Sequence, residues 1–203
     1  KHFDYLLPFF KDERYIKIEG KPVFMIYKPE TMMECIDEML LCWKYWAIEE
    51  GLPGLYIIGE QCAPIWTMPW NMVDARNEHG PAICLANEKK VGETTFYDYD
   101  FIWERLLNMD KDDGQKTYYC GFTDFDSTPR QAERALIFEK VTPEKFYNYY
   151  KRLVQKSLNL GDELVFINAW NEWGEGMHLE PDKKNGYAFL EAVNRVMDDV
   201  DEI

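Results

Sequence analysis

Val23-Phe24-Met25-Ile26-Tyr27, then Thr31-Met32-Met33-Glu34, then Met32, Ile36, Met39, Trp43 and Trp46 at helical spacing: this stretch decides the fold. The unbroken apolar run predicts a strand buried on both faces. Thr31-x-x-Glu34 predicts a capping box at the start of a helix. The Met and Trp stripe behind it predicts that one helical face packs into a core. Together they predict a strand followed by a crossover helix.

The pattern repeats along the chain. Gly51-Leu52-Pro53-Gly54 predicts the helix stop, and residues 55–58 the next strand, which ends at Gly59-Glu60-Gln61. A loop with Pro64, Trp66, Pro69 and Trp70 follows, then a weaker strand at residues 82–86. Residues 97–109 read as helix, 110–114 as a polar turn and 118–123 as a strand. Thr142-Pro143 supplies an N-cap and a first-turn proline for a helix with Phe146, Tyr150, Leu153 and Val154 inward, ended by Gly161. The last strand is expected at residues 164–167 and the last helix at 187–200. Alternating strands and helices predict an α/β architecture with parallel strands. About five strands are legible, whereas a closed barrel of this type has eight. Residues 1–203 are therefore expected to form one domain, the C-terminal portion of a (β/α)8 TIM-type barrel without its N-terminal strands; an open sheet is the alternative.

Composition narrows the function classes. A formal net charge of −14 disfavours nucleic acid and other polyanions as partners and suits a neutral, hydroxyl-rich substrate. Aromatic residues make up 16%, enough for a large core and for rings that stack on sugars. Cys35, Cys42, Cys62, Cys84 and Cys120 form no C-x-x-C pair; they read as buried thiols of a reducing, cytoplasmic compartment, with Cys35 and Cys42 on one helical face. No apolar stretch reaches a membrane span, and Lys1 opens no signal peptide and is not expected to be a native start. His2 and His79 have no evident partner and are expected in solvated loops.

In barrels of this kind the reactive groups follow the C-terminal ends of strands. Three such ends carry polar clusters: Glu60-Gln61, Asp124-x-Asp126, and residues 168–175. The third, Phe166-Ile167-Asn168-Ala169-Trp170-Asn171-Glu172-Trp173-Gly174-Glu175-Gly176, passes from apolar strand into a glycine-punctuated turn. A turn can bring Glu172 and Glu175 toward one cavity, where two carboxyls in unequal environments serve as general acid and general base. Trp170 and Trp173 supply apolar walls, and Asn171, His178 and Glu180 a polar rim. Asp124, Asp126 and Arg130 are candidate substrate contacts; the two acids read either as a contact to sugar hydroxyls or Arg130, or as a salt bridge that holds the loop, and a metal-binding D-x-D of a nucleotide-sugar transferase is a further alternative, though no glycine-rich phosphate loop accompanies it. Tyr27, Lys28 and Glu60 sit at strand ends facing a cleft, and Trp66 and Trp70 read as a sugar platform or a lid.

The run Asn168–Gly176, with Leu179-Glu180-Pro181, Gly186-Tyr187-Ala188-Phe189-Leu190, Tyr5-Leu6-Leu7-Pro8-Phe9-Phe10-Lys11-Asp12-x-Arg14-Tyr15-Ile16, Gly20-Lys21-Pro22-Val23-Phe24 and Asp126-Ser127-Thr128-Pro129-Arg130, resembles the WbsX family, the glycoside hydrolase family 99-like group of lipopolysaccharide-biosynthesis glycosyltransferases. The resemblance covers nearly the whole chain; Ser127 replaces the family's usual Asn, and the family's N-terminal W-G-x-G-aromatic-x-E-W type motif is absent. It implies a (β/α)8 barrel similar to the retaining endo-α-mannosidases. In that pattern Glu172 deprotonates the substrate 2-hydroxyl, which attacks the anomeric carbon to give an epoxide, and Glu175 protonates the leaving oxygen and then activates water. This departs from the ordinary scheme with a carboxylate nucleophile. The expected substrate is an oligosaccharide or polysaccharide, with no metal and no cofactor; hydrolysis, transfer, a non-catalytic glycan-binding module and oligomerisation all stay open.

Overall fold

The computed structural model describes residues 1–62, 72–109 and 114–201. The chain divides into two compact units, residues 1–78 with 112–117, and residues 79–111 with 118–203. The loop with Pro64, Trp66, Pro69 and Trp70, and most of the polar turn at 110–114, lie outside the described residues.

In the first unit the strand Lys21–Tyr27 pairs in parallel with Tyr56–Gln61, and that strand pairs in parallel with Ala75–Glu78. A short strand, Lys17–Ile18, lies antiparallel to the first. The register sets Tyr27 opposite Glu60, and Glu60 opposite Asn77. Helix Ile36–Glu49 buries Ile36, Leu40, Trp43 and Ala47, positions three and four apart on one face. These pack with Phe3 and Phe10 from helix His2–Lys11, which periodicity did not reveal, and with Ile26, Leu55 and Ile57.

The capping box does not form: the helix starts at Ile36 without a side-chain cap, and the Thr31 hydroxyl donates to the Lys28 carbonyl at 2.8 Å within a 3₁₀ turn, Pro29–Met32. Trp46 stays 41% exposed, so the buried stripe is narrower than the apolar pattern. Within Lys21–Tyr27 only Pro22 and Ile26 are fully buried, short of a strand covered on both faces. Cys35 is exposed ahead of the helix and Cys42 half-buried, so they do not form a buried pair on one face. His2 is no isolated loop residue; its ring meets Trp43 edge-on at 5.2 Å.

In the second unit Cys120–Phe122 and Phe166–Asn168 form a parallel pair, with Asn168 opposite Phe122. A separate sheet joins Lys89–Val91, Thr94–Asp98 and Leu136–Glu139. Residues 82–86 do not make a strand; Ala82–Cys84 is a 3₁₀ turn. The helix expected from residue 97 runs Tyr99–Leu107, because Asp98 ends the strand and caps the Phe101 N–H at 3.1 Å. Helix Pro143–Asn159 begins as expected, with the Thr142 hydroxyl accepting the Lys145 N–H at 3.1 Å. The last helix is Ala188–Asp201.

The core of this unit is aromatic. The Trp103 ring stacks on Phe122 at 4.6 Å and on Tyr149 at 5.6 Å. Gly121 is required where the strand meets this layer: a Cβ there would lie 3.0 Å from the Trp103 ring and 3.1 Å from that of Tyr150. This packing fixes the strand Cys120–Phe122, and through it the two polar segments that leave the parallel pair.

Candidate active site

Strand Phe166–Asn168 ends on Asn168, whose side-chain amide donates to the Gly80 carbonyl at 2.7 Å and lies 3.2 Å from His79 Nδ1. His79 thus has a partner, contrary to the solvated-loop expectation; only distance in the fold, not sequence spacing, reveals it. The Asn168–Ala169 peptide is cis. The chain then makes a hairpin, with Asn171 opposite His178 and Glu172 opposite Met177. The 3₁₀ turn Trp173–Glu175 forms its tip, and Gly176 closes it at φ +64°. Met177 is buried and fastens the hairpin to the core.

The two glutamates occupy different surroundings. Glu172 is exposed. The Glu175 side chain is only 16% exposed and forms an ion pair with Arg130, which is 54% exposed. The Glu175 carbonyl also accepts the Asp126 N–H at 2.7 Å. Trp173 stacks on the His178 ring at 3.8 Å, and its indole N–H donates to Glu180 at 2.6 Å. Trp170 and Trp173 remain 52% and 47% exposed, unusual for such large apolar rings and suited to stacking on a sugar face.

The segment after Cys120–Phe122 is arranged otherwise. Asp124 is part-buried, and burial pushes its carboxyl up to about 6. The nearby Asp126 adds to that rise, while the Phe125 N–H and the Lys184 and His178 charges oppose it. Asp126 accepts the Thr128 N–H at 2.9 Å and the Thr128 hydroxyl at 2.5 Å, so it caps the short helix Thr128–Gln131. Arg130 therefore pairs with Glu175 and not with the D-x-D carboxylates, a correction to that part of the sequence reading. Asp126 still holds the loop, through a cap in place of a salt bridge.

Of the expected site residues, Asp124, Asp126, Arg130, Trp170, Asn171, Glu172, Trp173, Glu175 and His178 lie on these two segments of the second unit. Tyr27 and Glu60 lie in the first unit, on neighbouring strand ends. Tyr27 is exposed with the Lys28 ammonium 5.2 Å from its ring, and Glu60 is buried. Burial and the Glu60 charge push the neighbouring Cys62 thiol up to about 11, which makes it a poor nucleophile near neutrality. Sequence reading missed strand Ala75–Glu78, where Arg76, Asn77 and Glu78 are all buried and the Asn77 side-chain oxygen has no hydrogen-bond partner among the described residues. It also missed Lys184, whose charge opposes the rise of the Asp124 carboxyl.

Comparison with solved structures defines the fold class. The fold is similar to a glycoside hydrolase-like protein with a TM-score of 0.59, at 14% identity, over 96% of this chain and 59% of that one. It is also similar to the family 99 endo-α-mannosidase of Bacteroides thetaiotaomicron, with a TM-score of 0.55 at 13% identity, over 100% of this chain and 66% of that one. The chain thus has an α/β fold shared with glycoside hydrolase-like proteins. The family model of glycosyltransferase WbsX matches residues 1–193, and the chain belongs to that family. Two curated relatives, both described as uncharacterized protein WxcX, come from Xanthomonas campestris pv. campestris strains B100 and ATCC 33913. Each is 24% identical over 93% of this chain, which spans 28% of their length. Among the described residues no helix is long and apolar enough to cross a membrane.

Proposed function

We propose that this chain cleaves or transfers glycosidic bonds in an oligosaccharide or polysaccharide, in the manner of a retaining endo-α-mannosidase, with Glu172 and Glu175 as its catalytic carboxyls. The observation that carries the reading is the pair's inequality: one acid is open to solvent, the other is recessed and ion-paired, on one hairpin directly after a parallel strand. Acid–base work needs two carboxyls in unlike surroundings. In this reading Glu172 removes the proton of the sugar 2-hydroxyl, the 2-oxygen attacks the anomeric carbon, and Glu175 gives its proton to the departing oxygen. Water or an acceptor hydroxyl, deprotonated by Glu175, then attacks the anomeric carbon and breaks its bond to the 2-oxygen, to which Glu172 returns the proton it took.

Trp170, Trp173, Asn171 and His178 line the approach of the glycan, and Asp124 is a further contact. Residues 1–203 are read as the C-terminal portion of one (β/α)8 barrel domain, supported by the parallel pairings and by a family match that runs across both units. The setting is lipopolysaccharide or polysaccharide metabolism in the cytoplasm. The transferase alternative that uses Asp124 and Asp126 as metal ligands is weaker, because Asp126 already serves as a helix cap.

Glu175→Gln tests the reading. Turnover of α-mannoside-type oligosaccharides should fall about 1000-fold while calorimetry still detects glycan binding. Unchanged turnover ends the assignment.

A further inference from the structure

Arg130 lies in a segment built to hold it against Glu175. Asp126 ties the two together from both sides: its backbone N–H donates to the Glu175 carbonyl, and its carboxylate caps the helix that carries Arg130. A Cβ on Gly176 would stand 3.1 Å from the Asp126 nitrogen, so the hairpin tip and this loop already touch. The loop is rooted at Ser127, whose N–H donates to the Leu136 carbonyl at 3.0 Å and whose hydroxyl accepts the Leu136 N–H at 2.9 Å. Beyond Arg130 the chain turns through Ala132 at φ 49° and ψ −120°, a conformation that costs an alanine strain and that the surroundings must enforce.

The charged groups around Glu175 leave Arg130 as its counter-ion. The Asp126 carboxylate is taken up by Thr128, Glu180 by the Trp173 indole, and His178 by its stack on Trp173 and by the Glu180 carbonyl at 3.1 Å. Glu172, on the same hairpin, is exposed.

We propose that Arg130 is a positioning residue, clamped by Asp126, that fixes the Glu175 carboxyl for its reaction and does not itself grip the glycan. A general base must lie within hydrogen-bond reach of the proton it takes, here that of the water or acceptor hydroxyl in the second step, and small displacements reduce the rate steeply. A guanidinium holds a carboxylate in a defined plane, which a lysine does not reproduce. The inference rests on the catalytic role of Glu175.

Arg130→Met, Arg130→Lys, Asp126→Ala and Asp126→Asn test it. With α-mannoside-type oligosaccharides, Arg130→Met should lower kcat about 10-fold or more and leave KM near the unsubstituted value. Arg130→Lys should recover part of the loss. Asp126→Ala should repeat the defect, and Asp126→Asn, which keeps the capping oxygen, should largely spare kcat. A raised KM with intact kcat overturns the proposal and makes Arg130 a glycan contact. Without any substrate, the carbon-13 carboxyl resonance of Glu175, assigned with Glu175→Gln, should move in Arg130→Met and return partway in Arg130→Lys. A resonance that stays put in a folded Arg130→Met protein overturns the clamp, whatever Glu175→Gln does to turnover.

Discussion

The loop that leaves strand Cys120–Phe122 keeps its polar groups to itself, whereas the loop that leaves its partner Phe166–Asn168 turns them outward. In the first, Asp124 is part-buried and takes the Phe125 N–H, and Asp126 caps a helix. In the second, Glu172, Trp170 and Trp173 stand exposed on a hairpin pinned by Met177. Parallel neighbours thus divide the labour: one braces, the other presents. The bracing loop reaches across through Arg130 and the Asp126 N–H, so a change in either loop is felt in the other.

Gly176→Val should strike hardest at this division. A β-branched residue at φ +64° is strained, and its side chain would be forced against the Asp126 backbone. A stability loss of about 3 kcal/mol is expected in urea unfolding, with turnover lost alongside. An unaffected midpoint would mean that the two loops do not meet.

Asp124→Asn sharpens the contrast in the opposite direction. The Asp124 carboxyl is raised from its ordinary value to about 6, so the folded state holds its proton more tightly than the unfolded chain. Stability from this group is therefore present in acid and is lost as the pH rises from about 4 through about 6. At pH 7.5 the ionised group is a burden, and the amide should stabilise the protein by about 1–2 kcal/mol. The gain should vanish toward pH 4. A gain equal at both ends of the range would contradict burial as the cause.

Ala132→Gly is the mildest probe. Glycine accepts φ 49° and ψ −120° without penalty, so relief of strain should stabilise by about 0.5–1 kcal/mol, less the entropy of a freer unfolded chain. Thermal denaturation would register it; a clear loss of stability would show that the turn is unstrained.

How far the sequence carries can be judged from single segments. The helix at Thr142-Pro143 was legible to the residue because cap and proline chemistry is local. The strand that feeds the hairpin was legible from residues 164–167, displaced slightly toward Asn168. Strand Ala75–Glu78 was not: Ala-Arg-Asn-Glu shows no apolar periodicity, yet all four residues are buried. Hydrophobic patterning cannot detect a buried polar strand. The false capping box at Thr31 failed because a nearby carbonyl, that of Lys28, took the hydroxyl first. At the candidate site the glutamates and their aromatic neighbours stood out in one run of sequence. The pairing of Arg130 with Glu175 did not, since those residues lie far apart in sequence and meet only where two strands run side by side.

One kinetic comparison bears most directly on the roles given to Glu172 and Glu175. Each is changed to Gln in the 203-residue chain, and turnover is measured on an α-mannooligosaccharide and on an aryl α-mannoside whose leaving group departs unprotonated. Glu175→Gln should fail on the first substrate and regain much of its first-step rate on the second, while Glu172→Gln should fail on both. Equal turnover by both variants and the unsubstituted chain, or no turnover by the unsubstituted chain on either substrate, would contradict the account.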